Sequence, residues 1–546
     1  MSKSSEGRRT TKGDVHEFVV NAAGRRVPTV VNGEPQTPYM GVGGYKPEGR
    51  KQAPPIRSCA DYPADGDKRV PDLEMALKKV GLRDGMTIST HHHLRNGDVI
   101  ALEALQAAAR LGVKDLRWFP SASFPCHAPV VDLMRQGVVH HIEGSMNGPL
   151  GAFTSYGGMR GLGVLRSHGG RWQAVQDGEV KIDVAVIAAP TADAFGNADG
   201  SHGPSACGSL GFALADSMYA EHVIVVTDNL VRFPCIPWQI QGNNVDVVVE
   251  VDSIGDPARI VSGTTQITRS PDRLLIAEYV ARFLRDAGIM RDGFSFQAGA
   301  GGIALAFVQF LRDMMKQAGV KARFVRGGST EYLVQLLDEG LTDYILDGQT
   351  FDLKAVESIA GNPRHVATSP FTSYNYHGKG DFASMVDAVV LGATEVDVNF
   401  NANVNTHSDG LLLHGIGGWQ NCLFAGTTIL AVPAFRDRVP VIVDEVTTLT
   451  GPGELIDVIA TERGIAVNPR RTDLLDALTD SDLPIRDIRE IKDEVEGIVG
   501  GPPARAHVLD EPVAVIKWVD GTVIDTVWRV EGDADSVNAA PAEGGE

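Results

Sequence analysis

The sequence predicts an α/β protein with two tandem domains, each built on a parallel sheet that helices flank. Glycine is abundant, with 61 of the 546 residues, and aromatic residues make up only 6%, which suits many tight turns between strands and helices. Hydrophobic residues reach 43% and charged residues 22%, so the chain can fill cores of this size and an intrinsically disordered protein is excluded. An internal duplication supports the division into two domains.

The duplication consists of four short matches that occur in the same order. Residues 82–88, 112–114 and 182–187 recur as residues 290–296, 319–321 and 386–391, and Asp193 with Asn197 recurs as Asp397 with Asn401. The spacings are 208, 207, 204 and 204 residues. In each copy an Asp-Gly turn precedes a short apolar strand, a polar or glycine-rich turn and an amphipathic helix. Repeated strand–helix–strand units imply parallel sheets.

The duplication and the composition together predict the boundaries. We expect the first domain over residues 71–275 and the second over residues 276–530. Residues 1–70 are expected to form an extended arm that lies over the body or reaches a partner, because their first part is basic and rich in Gly and Pro. Residues 531–546 are acidic and small, and they are expected to be a disordered tail.

Charge and cysteine usage exclude several classes of protein. The chain has 69 acidic and 50 basic residues, a net charge of −19, which argues against nucleic-acid binding. Five scattered cysteines without a Cys-x-x-Cys pair favour a reducing cytoplasm. The N-terminus has no apolar signal segment, and the two uncharged runs, 294–311 and 410–435, are interrupted by Gly, Gln, Asn and His. We therefore expect a soluble, cytoplasmic protein without membrane contact.

Two glycine-rich segments could serve a thioester or an acyl group. The GAGG turn (residues 299–302) follows a strand and opens a helix, where a backbone can approach a phosphate or thioester closely. No acidic residue follows at the spacing that a nicotinamide site requires, and plain helix–strand packing is the alternative. The GIGG loop (residues 415–418) could form an oxyanion hole. It follows an Asn-rich extended run that includes Asn401, which could instead pack against turns.

Two basic turns are candidates for binding anions. In His91-His92-His93-Leu94-Arg95 only the first and third histidines share a face of an extended segment. Arg95 would repel a cation and no further ligand lies nearby, so no metal site is predicted. An anion site at His93 and Arg95 is favoured, with a structural role as the alternative. In the turn of residues 166–171, His168 and Arg171 could hold a carboxylate or could merely lie in a hairpin.

Glu331 follows Gly-Gly-Ser-Thr at the predicted start of a helix. A helix N-terminus favours an acidic side chain there, so Glu331 could be a simple first-turn residue. It could also be a nucleophile that attacks a thioester carbonyl. No Gly-x-Ser-x-Gly motif is followed by an ordered triad, which disfavours a serine hydrolase.

Several longer blocks resemble the citrate lyase alpha chain, a citrate CoA-transferase family. These blocks are His91-His92-His93-Leu94-Arg95-Asn96-Gly97-Asp98, Cys126-His127-Ala128-Pro129, Ser167-His168-Gly169-Gly170-Arg171 and residues 193–200, 293–302 and 464–469. They extend from about residue 70 to residue 530, so the resemblance covers nearly the whole body. It implies two tandem CoA-transferase domains, which agrees with the duplication.

The resemblance implies an exchange of acetate for citrate on an acetyl thioester, which gives a citryl thioester and acetate. It further implies an oligomeric complex in which a beta chain cleaves the citryl group to oxaloacetate and a small gamma acyl-carrier chain bears the phosphopantetheine arm. This chain would then bind no cofactor of its own, and a CoA or phosphopantetheine thioester would be its substrate. Family members are thought to act through a ternary complex and a transient mixed anhydride.

The expected site follows from the motifs and the resemblance together. Gly299, Gly301, Gly302 and Gly415 are expected around the thioester, and Gly417 and Gly418 are expected to stabilise the reacting carbonyl. The expected ligands of the acceptor acid are His93, Arg95, His168, Arg171 and Asn401. Glu331 stays a candidate nucleophile, because covalent relatives of the acetyl-CoA hydrolase/transferase group resemble this chain in having a glutamate in a similar Thr-Glu turn.

Two other functions remain open at this point. One is a stand-alone acyl-CoA transferase or hydrolase for another carboxylate, in which Glu331 forms a glutamyl thioester. It predicts activity with free acyl-CoA and without partner chains. The other is a non-catalytic scaffold subunit that only docks a carrier protein, which predicts no acyl exchange.

Overall fold

The computed structural model describes residues 17–46, 58–260, 266–299 and 301–540. Two large sheets lie at its centre. In spatial order, the strands of the first sheet are Arg69–Val70, Val247–Glu250, His222–Thr227, Val184–Ala189, Thr87–Thr90, Leu116–Pro120 and Val139–Ile142. Those of the second sheet are His365–Ala367, Ile345–Thr350, Phe324–Ser329, Ser295–Ala298, Ala388–Leu391, Thr428–Ala431, Val458–Thr461 and Gly464–Val467.

All pairings in the first sheet are parallel, and in the second sheet only the last pair is antiparallel. The predicted fold class is therefore confirmed. The copies also share their register, because Ile88 pairs with Val184 just as Phe296 pairs with Ala388. Buried positions fill both faces of the central strands, as parallel sheets require.

Helices cover both sheets. In the first domain they are Leu73–Lys79, Ile100–Arg110, Val130–Arg135, Pro149–Ser155, His168–Asp177 and Gly211–Tyr219. In the second domain they are Pro271–Asp286, Gly302–Ala318, Glu331–Asp338, Leu353–Gly361, Pro370–Ser373, Trp419–Cys422, Thr472–Ala477 and Ile488–Val499. Helix Ile100–Arg110 shows why these segments pack as helices against a sheet. Its apolar residues Ala101, Ala104, Leu105 and Ala108 recur at helical spacing, and all four are buried.

Smaller sheets extend the carboxyl edge of each large one. In the first domain the strands are Thr191–Asp193, Ala198–Asp199 and Leu230–Val231, and in the second they are Glu395–Asp397, Ala402–Asn403 and Ile442–Val443. A short hairpin joins Phe435–Arg436 to Val439–Pro440. Ile187 of the first sheet belongs to the same buried apolar cluster as Trp419 and Ile442. The two domains therefore share one core where their carboxyl edges meet.

Two described segments, one near each end of the sequence, fold together against the first domain. Residues 17–46 form two hairpins, Phe18–Val20 with Arg26–Pro28 and Val30–Val31 with Glu34–Pro35. These hairpins contact a C-terminal hairpin of strands Val508–Lys517 and Val523–Val530. Strand Val508–Lys517 pairs in parallel with Gly163–Leu165 of the first domain. The C-terminal strands that were predicted to belong to the second domain thus complete a sheet of the first.

The start of the predicted disordered tail is ordered. Arg135 donates hydrogen bonds to the carbonyl oxygens of Ala534, Asp535 and Val537. The acidic tail is therefore docked as far as residue 540, and its remainder, like residues 1–16 and 47–57 of the predicted arm, lies outside the described residues. Within the described ranges, no helix is both long enough and apolar enough to cross a bilayer.

Candidate active site

The candidate site lies where the carboxyl ends of the two sheets meet. His92 follows the first-sheet strand Thr87–Thr90, and its Nε2 donates to Oε1 of Gln349, on a second-sheet strand, at 2.9 Å. The His92 ring stacks on His168, with 5.3 Å between the ring centroids. The backbone N–H of His168 in turn donates to the carbonyl oxygen of Gly417 at 2.7 Å. One histidine pair therefore joins both domains to the GIGG loop.

His168 is a neutral imidazole in this position. Burial, together with the positive charge of Arg171, lowers the pKa of His168 to about 3. The side chain begins helix His168–Asp177, whose N-cap Ser167 accepts from the Gly170 N–H. His168 Nε2 lies 3.9 Å from where a Cβ on Gly417 would be. A neutral imidazole can accept or donate one hydrogen bond per ring nitrogen beside the loop.

The GIGG loop approaches its neighbours so closely that side chains are excluded. A Cβ on Gly418 would lie 2.6 Å from the Tyr374 hydroxyl oxygen, and one on Gly415 would overlap Ser145. Gly417 has φ +64°, which favours glycine. The turn that carries His168 is equally close, because the Gly169 N–H donates to Asn421 Oδ1 at 3.0 Å. The amides of the loop are thus held against both domains.

Arg95 crosses the same domain boundary. Its guanidinium carbon lies 4.3 Å from the centroid of the Phe351 ring and 5.2 Å from that of Phe124. Burial lowers the pKa of Arg95 to about 10, so the side chain is still a cation at neutral pH. Its backbone has φ +52°, an uncommon conformation for a residue with a side chain. The structure thus brings Arg95, His168, Gly417 and Gly418 to one interface.

Three other predicted acceptor ligands contact their own domain instead. His93 donates from Nε2 to the carbonyl oxygen of Ala188 at 2.6 Å, and burial lowers its pKa to about 4. Both Nη atoms of Arg171 donate to Asp216, at 2.9 and 2.7 Å. These contacts occupy His93 Nε2 and the Nη atoms of Arg171 within the first domain, while His93 Nδ1 and Arg171 Nε make no hydrogen bond to the described residues. Of the three histidines, His92 is the one that contacts the second domain, through Gln349.

Asn401 supports a turn that both domains contain. Its Nδ2 donates to Asp397 at 3.0 Å, and its Oδ1 accepts from the Gly453 N–H. In the first domain Asn197 makes the same two bonds, to Asp193 and from Gly242. Both polar groups of the Asn401 side chain therefore stabilise this turn. The Asp–Asn spacing that recurs in the two copies is the sequence signal for this structural role.

Glu331 begins helix Glu331–Asp338, and its side chain is exposed to solvent. Its backbone N–H donates to Asp352 Oδ2 at 2.7 Å. This is the position of a first-turn acid, which is one of the two interpretations left open by the sequence.

A cleft of about 250 Å³ lies at the GAGG turn, beside the domain boundary. Its lining is Arg273, Gly299, Gly301, Gly302, Ile303, Ala304, Val390, Leu391, Gly392, Ala431, Pro433 and Arg436, while Ala300 lies outside the described residues. Helix Gly302–Ala318 starts there without a side-chain cap, so its first N–H groups are available to an anion. A Cβ on Gly301 or Gly392 would meet nothing within 4 Å.

Two arginines make this cleft positive. Arg436 donates to the carbonyl oxygens of Ala393 and Thr394, and its pKa is lowered by burial and by the like charge of Arg273. Arg273 is exposed at the start of helix Pro271–Asp286. The cleft and the GIGG loop are neighbours, because the indole of Trp419 donates to the Gly392 carbonyl oxygen at 2.8 Å. In the part of the chain that is described, no three His, Cys, Asp or Glu side chains are grouped as metal ligands would be.

Comparison with known proteins agrees with this geometry. A family model described as citrate lyase, alpha subunit, matches residues 66–530. The chain is 40% identical to the citrate lyase alpha chain of Haemophilus influenzae, over 88% of this chain and 96% of that protein. It is also 40% identical to the Escherichia coli citrate lyase alpha chain, over 84% of this chain and 90% of that one.

Solved structures show the same relation. A citrate lyase alpha subunit from Streptococcus mutans, determined in complex with citrate, has a TM-score of 0.88 at 39% identity and covers 94% of this chain and all of its own. A Pseudomonas malonate decarboxylase hetero-tetramer shares the fold, with a TM-score of 0.57 and 17% identity over 79% of this chain and 83% of that one. The resemblance noted in the sequence is confirmed, and the chain belongs to the citrate lyase alpha subunit family and is a transferase enzyme.

Proposed function

We propose that this chain exchanges acetate for citrate on an acetyl thioester, giving a citryl thioester and acetate. The observation that carries the proposal is that two positively charged places, the cleft at the GAGG turn and the interface at Arg95, are joined by the GIGG loop. An acyl transfer between two anionic substrates needs such positioning and oxyanion stabilisation more than it needs a metal. The Streptococcus mutans relative in complex with citrate supports citrate as the acceptor.

The thioester would occupy the cleft. Glycines Gly299 and Gly301 leave room for a close approach, and the uncapped helix start at Gly302 favours negative charge. Arg273 and Arg436 suit the phosphates of CoA or of a phosphopantetheine arm. We propose that the acyl end then reaches the GIGG loop past Gly392.

The acceptor would bind on the other side of the loop. Arg95 would hold a carboxylate, and neutral His168 would hydrogen bond to the acceptor beside Gly417. A carboxylate oxygen attacks the carbonyl carbon of the acetyl thioester, and the thiolate leaves as a mixed anhydride forms. The thiolate then attacks the citryl carbonyl carbon, and acetate leaves. Amides of Gly417 and Gly418 would stabilise both tetrahedral oxyanions.

The direct test is an exchange assay on the purified chain. Acetyl-CoA and citrate are incubated with it, and the products are identified by mass spectrometry. We expect citryl-CoA with an equal amount of acetate. Acetate and free CoA without citryl-CoA would show a hydrolase or another acceptor acid. If the assay is silent with acetyl-CoA and with an acetylated acyl carrier alike, a scaffold subunit is the better description.

The same assay decides between the direct and the covalent route. Glu331 is exposed and lies at a helix start, so we expect Glu331→Ala to exchange at close to the wild-type rate. A loss of exchange in that variant would instead establish a glutamyl thioester and the stand-alone transferase mechanism.

Arg273→Ala is expected to raise KM for acetyl-CoA about three- to ten-fold, with kcat unchanged, because it removes a charge that binds ground and transition states equally. The effect should shrink at high ionic strength, since Arg273 is exposed. Arg285→Ala is the matched control, because Arg285 lies at the other end of the same helix and pairs with Asp286. An unchanged KM in Arg273→Ala would remove this arginine from the thioester site.

The family name implies a multisubunit citrate lyase complex. Within it, we propose that this chain receives the thioester from a gamma acyl-carrier chain and passes the citryl group to a beta chain, in the cytoplasm. It would hold no cofactor of its own, because the phosphopantetheine arm belongs to the carrier.

A further inference from the structure

Arg326 is a buried cation that forms no ion pair with any acidic side chain in the described ranges. It lies on strand Phe324–Ser329, and its side chain is fully buried, with 0% of its surface exposed. Nη1 donates to Oε1 of Gln297 at 2.6 Å, and the neutral Tyr374 side chain is a further polar neighbour, but Nε and Nη2 donate no well-aligned hydrogen bond to any described residue. Its guanidinium carbon lies 4.8 Å from the centroid of the Tyr374 ring. A buried charge is costly unless an opposite charge compensates it.

The first domain contains the same arrangement with the acid present. Arg171 stacks on Phe119, with 4.1 Å from its guanidinium carbon to the ring centroid, and Asp216 neutralises it. Ser89 pairs in register with Phe119 just as Gln297 pairs with Arg326. Phe119 and Arg326 therefore occupy equivalent strand positions. The strand carries the aromatic ring of the stacked pair in the first domain and its guanidinium in the second.

The second domain has a cysteine at the position where the first domain has this acid. Asp216 accepts from Ser89 and lies six residues before strand His222–Thr227. Cys422 accepts from Gln297 at 2.9 Å and lies six residues before strand Thr428–Ala431. Burial raises the pKa of the Cys422 thiol, so it is neutral and does not compensate Arg326. Duplicated positions thus carry an ion pair in one domain and a lone charge in the other.

The lone charge lies behind the GIGG loop. Tyr374, which stacks on Arg326, approaches Gly418 so closely that its hydroxyl oxygen is 2.6 Å from a Cβ placed there. We infer that Arg326 is a positioning residue whose uncompensated charge attracts the acceptor carboxylate to the GIGG loop and stabilises the oxyanion formed there. The substrate thereby supplies the counter-charge that Asp216 supplies in the first domain. This inference rests on the proposed acyl exchange.

The test introduces a carboxylate at the position in the second domain that is equivalent to Asp216. Cys422→Asp should pair with Arg326, so the variant is expected to fold with a Tm equal to or above that of the wild-type chain. Its exchange of acetate for citrate should fall about 100-fold, the scale of losing an oxyanion-stabilising group. Cys422→Ser is the neutral control and should stay within about two-fold of the wild-type rate. Wild-type exchange in a folded Cys422→Asp variant would overturn the inference.

Arg326 variants keep the inference testable if Cys422→Asp does not fold. Arg326→Gln should lower kcat about 100-fold with a smaller change in KM, and Arg326→Lys should recover part of the rate because it restores the charge. Unchanged kcat in a folded Arg326→Gln variant would count against the role. If the wild-type chain shows no exchange, the proposed function fails. The rise of Tm on adding citrate then tests whether the charge of Arg326 contributes to binding the carboxylates of citrate. That rise should be present in the wild-type chain and smaller in Cys422→Asp, and equal rises would refute the inference.

Discussion

Replacing Asp216 with alanine is expected to lower the free energy of unfolding by about 3–5 kcal/mol, the cost of breaking a buried ion pair from one side. Asp216 is fully buried and accepts from Arg171, from His91 Nε2 at 2.8 Å and from the Ser89 hydroxyl. Its removal leaves the Arg171 guanidinium buried without an anion. Urea unfolding of the variant and the wild-type chain, followed by circular dichroism, measures the difference.

The pH dependence of that difference follows from the sign of the shift. Arg171 and His91 overcome the effect of burial and hold the pKa of Asp216 well below its ordinary value. The stabilisation is therefore fully present above the unfolded-state pKa of about 4 and is lost as the pH falls through the lower folded-state pKa. The gap between wild type and Asp216→Ala should narrow in acid, and a gap that widened there would contradict the ion-pair explanation.

A surface pair provides the control for Asp216. Glu74 pairs with Arg110 at the surface, where the side chains are 42% and 48% exposed, so Glu74→Ala should leave the unfolding midpoint nearly unchanged. A similar loss in both variants would show that removing any carboxylate destabilises the chain, and that the buried position of Asp216 has no special effect.

The fold class could be predicted because the same strand–turn–helix pattern occurs in both copies of the internal duplication. Two Asp-Gly turns, each followed by a strand and an amphipathic helix, fix local structure, and their repetition implies one topology for both domains. The pairing of Val515 with Val164 could not be predicted. Both segments are short apolar runs, and which of many such runs meet depends on the packing of residues about 350 positions apart rather than on local pattern.

Some features of the candidate site follow from local sequence patterns, whereas others depend on residues that are distant in the sequence. The close-packed GIGG loop could be recognised from the sequence, because few other structural requirements place three glycines within four residues. In the histidine triplet, His91 and His93 lie on one face as the alternation predicts, with their rings parallel and the ring centroids 6.3 Å apart. That His92 faces the second domain depends on tertiary structure and could not be predicted from this pattern. The pairing of Arg171 with Asp216 could not be predicted, because the two residues lie 45 positions apart in the sequence.

Gly418→Ala is expected to lower the rate of acetate–citrate exchange about 100-fold. With φ −84°, Gly418 can accept a side chain without backbone strain, so the effect is steric alone. The new Cβ would lie 2.6 Å from the hydroxyl oxygen and 2.9 Å from the ring carbon Cζ of Tyr374, and either the loop or the ring must move. A displacement of about 1 Å between reacting groups costs a factor of this size. Initial rates of citryl-CoA formation measure it.

Tyr374→Phe identifies the cause, because it removes the atom that the new Cβ approaches most closely. The double variant Gly418→Ala with Tyr374→Phe should therefore recover part of the lost rate, and the recovery is the coupling between the two positions. Gly497→Ala is the matched control, since a Cβ there, in the last turn of helix Ile488–Val499, meets nothing within 4 Å. A Gly418→Ala chain that exchanges at the wild-type rate would mean that the GIGG loop does not shape the reacting centre, and the thioester carbonyl would then have to lie elsewhere.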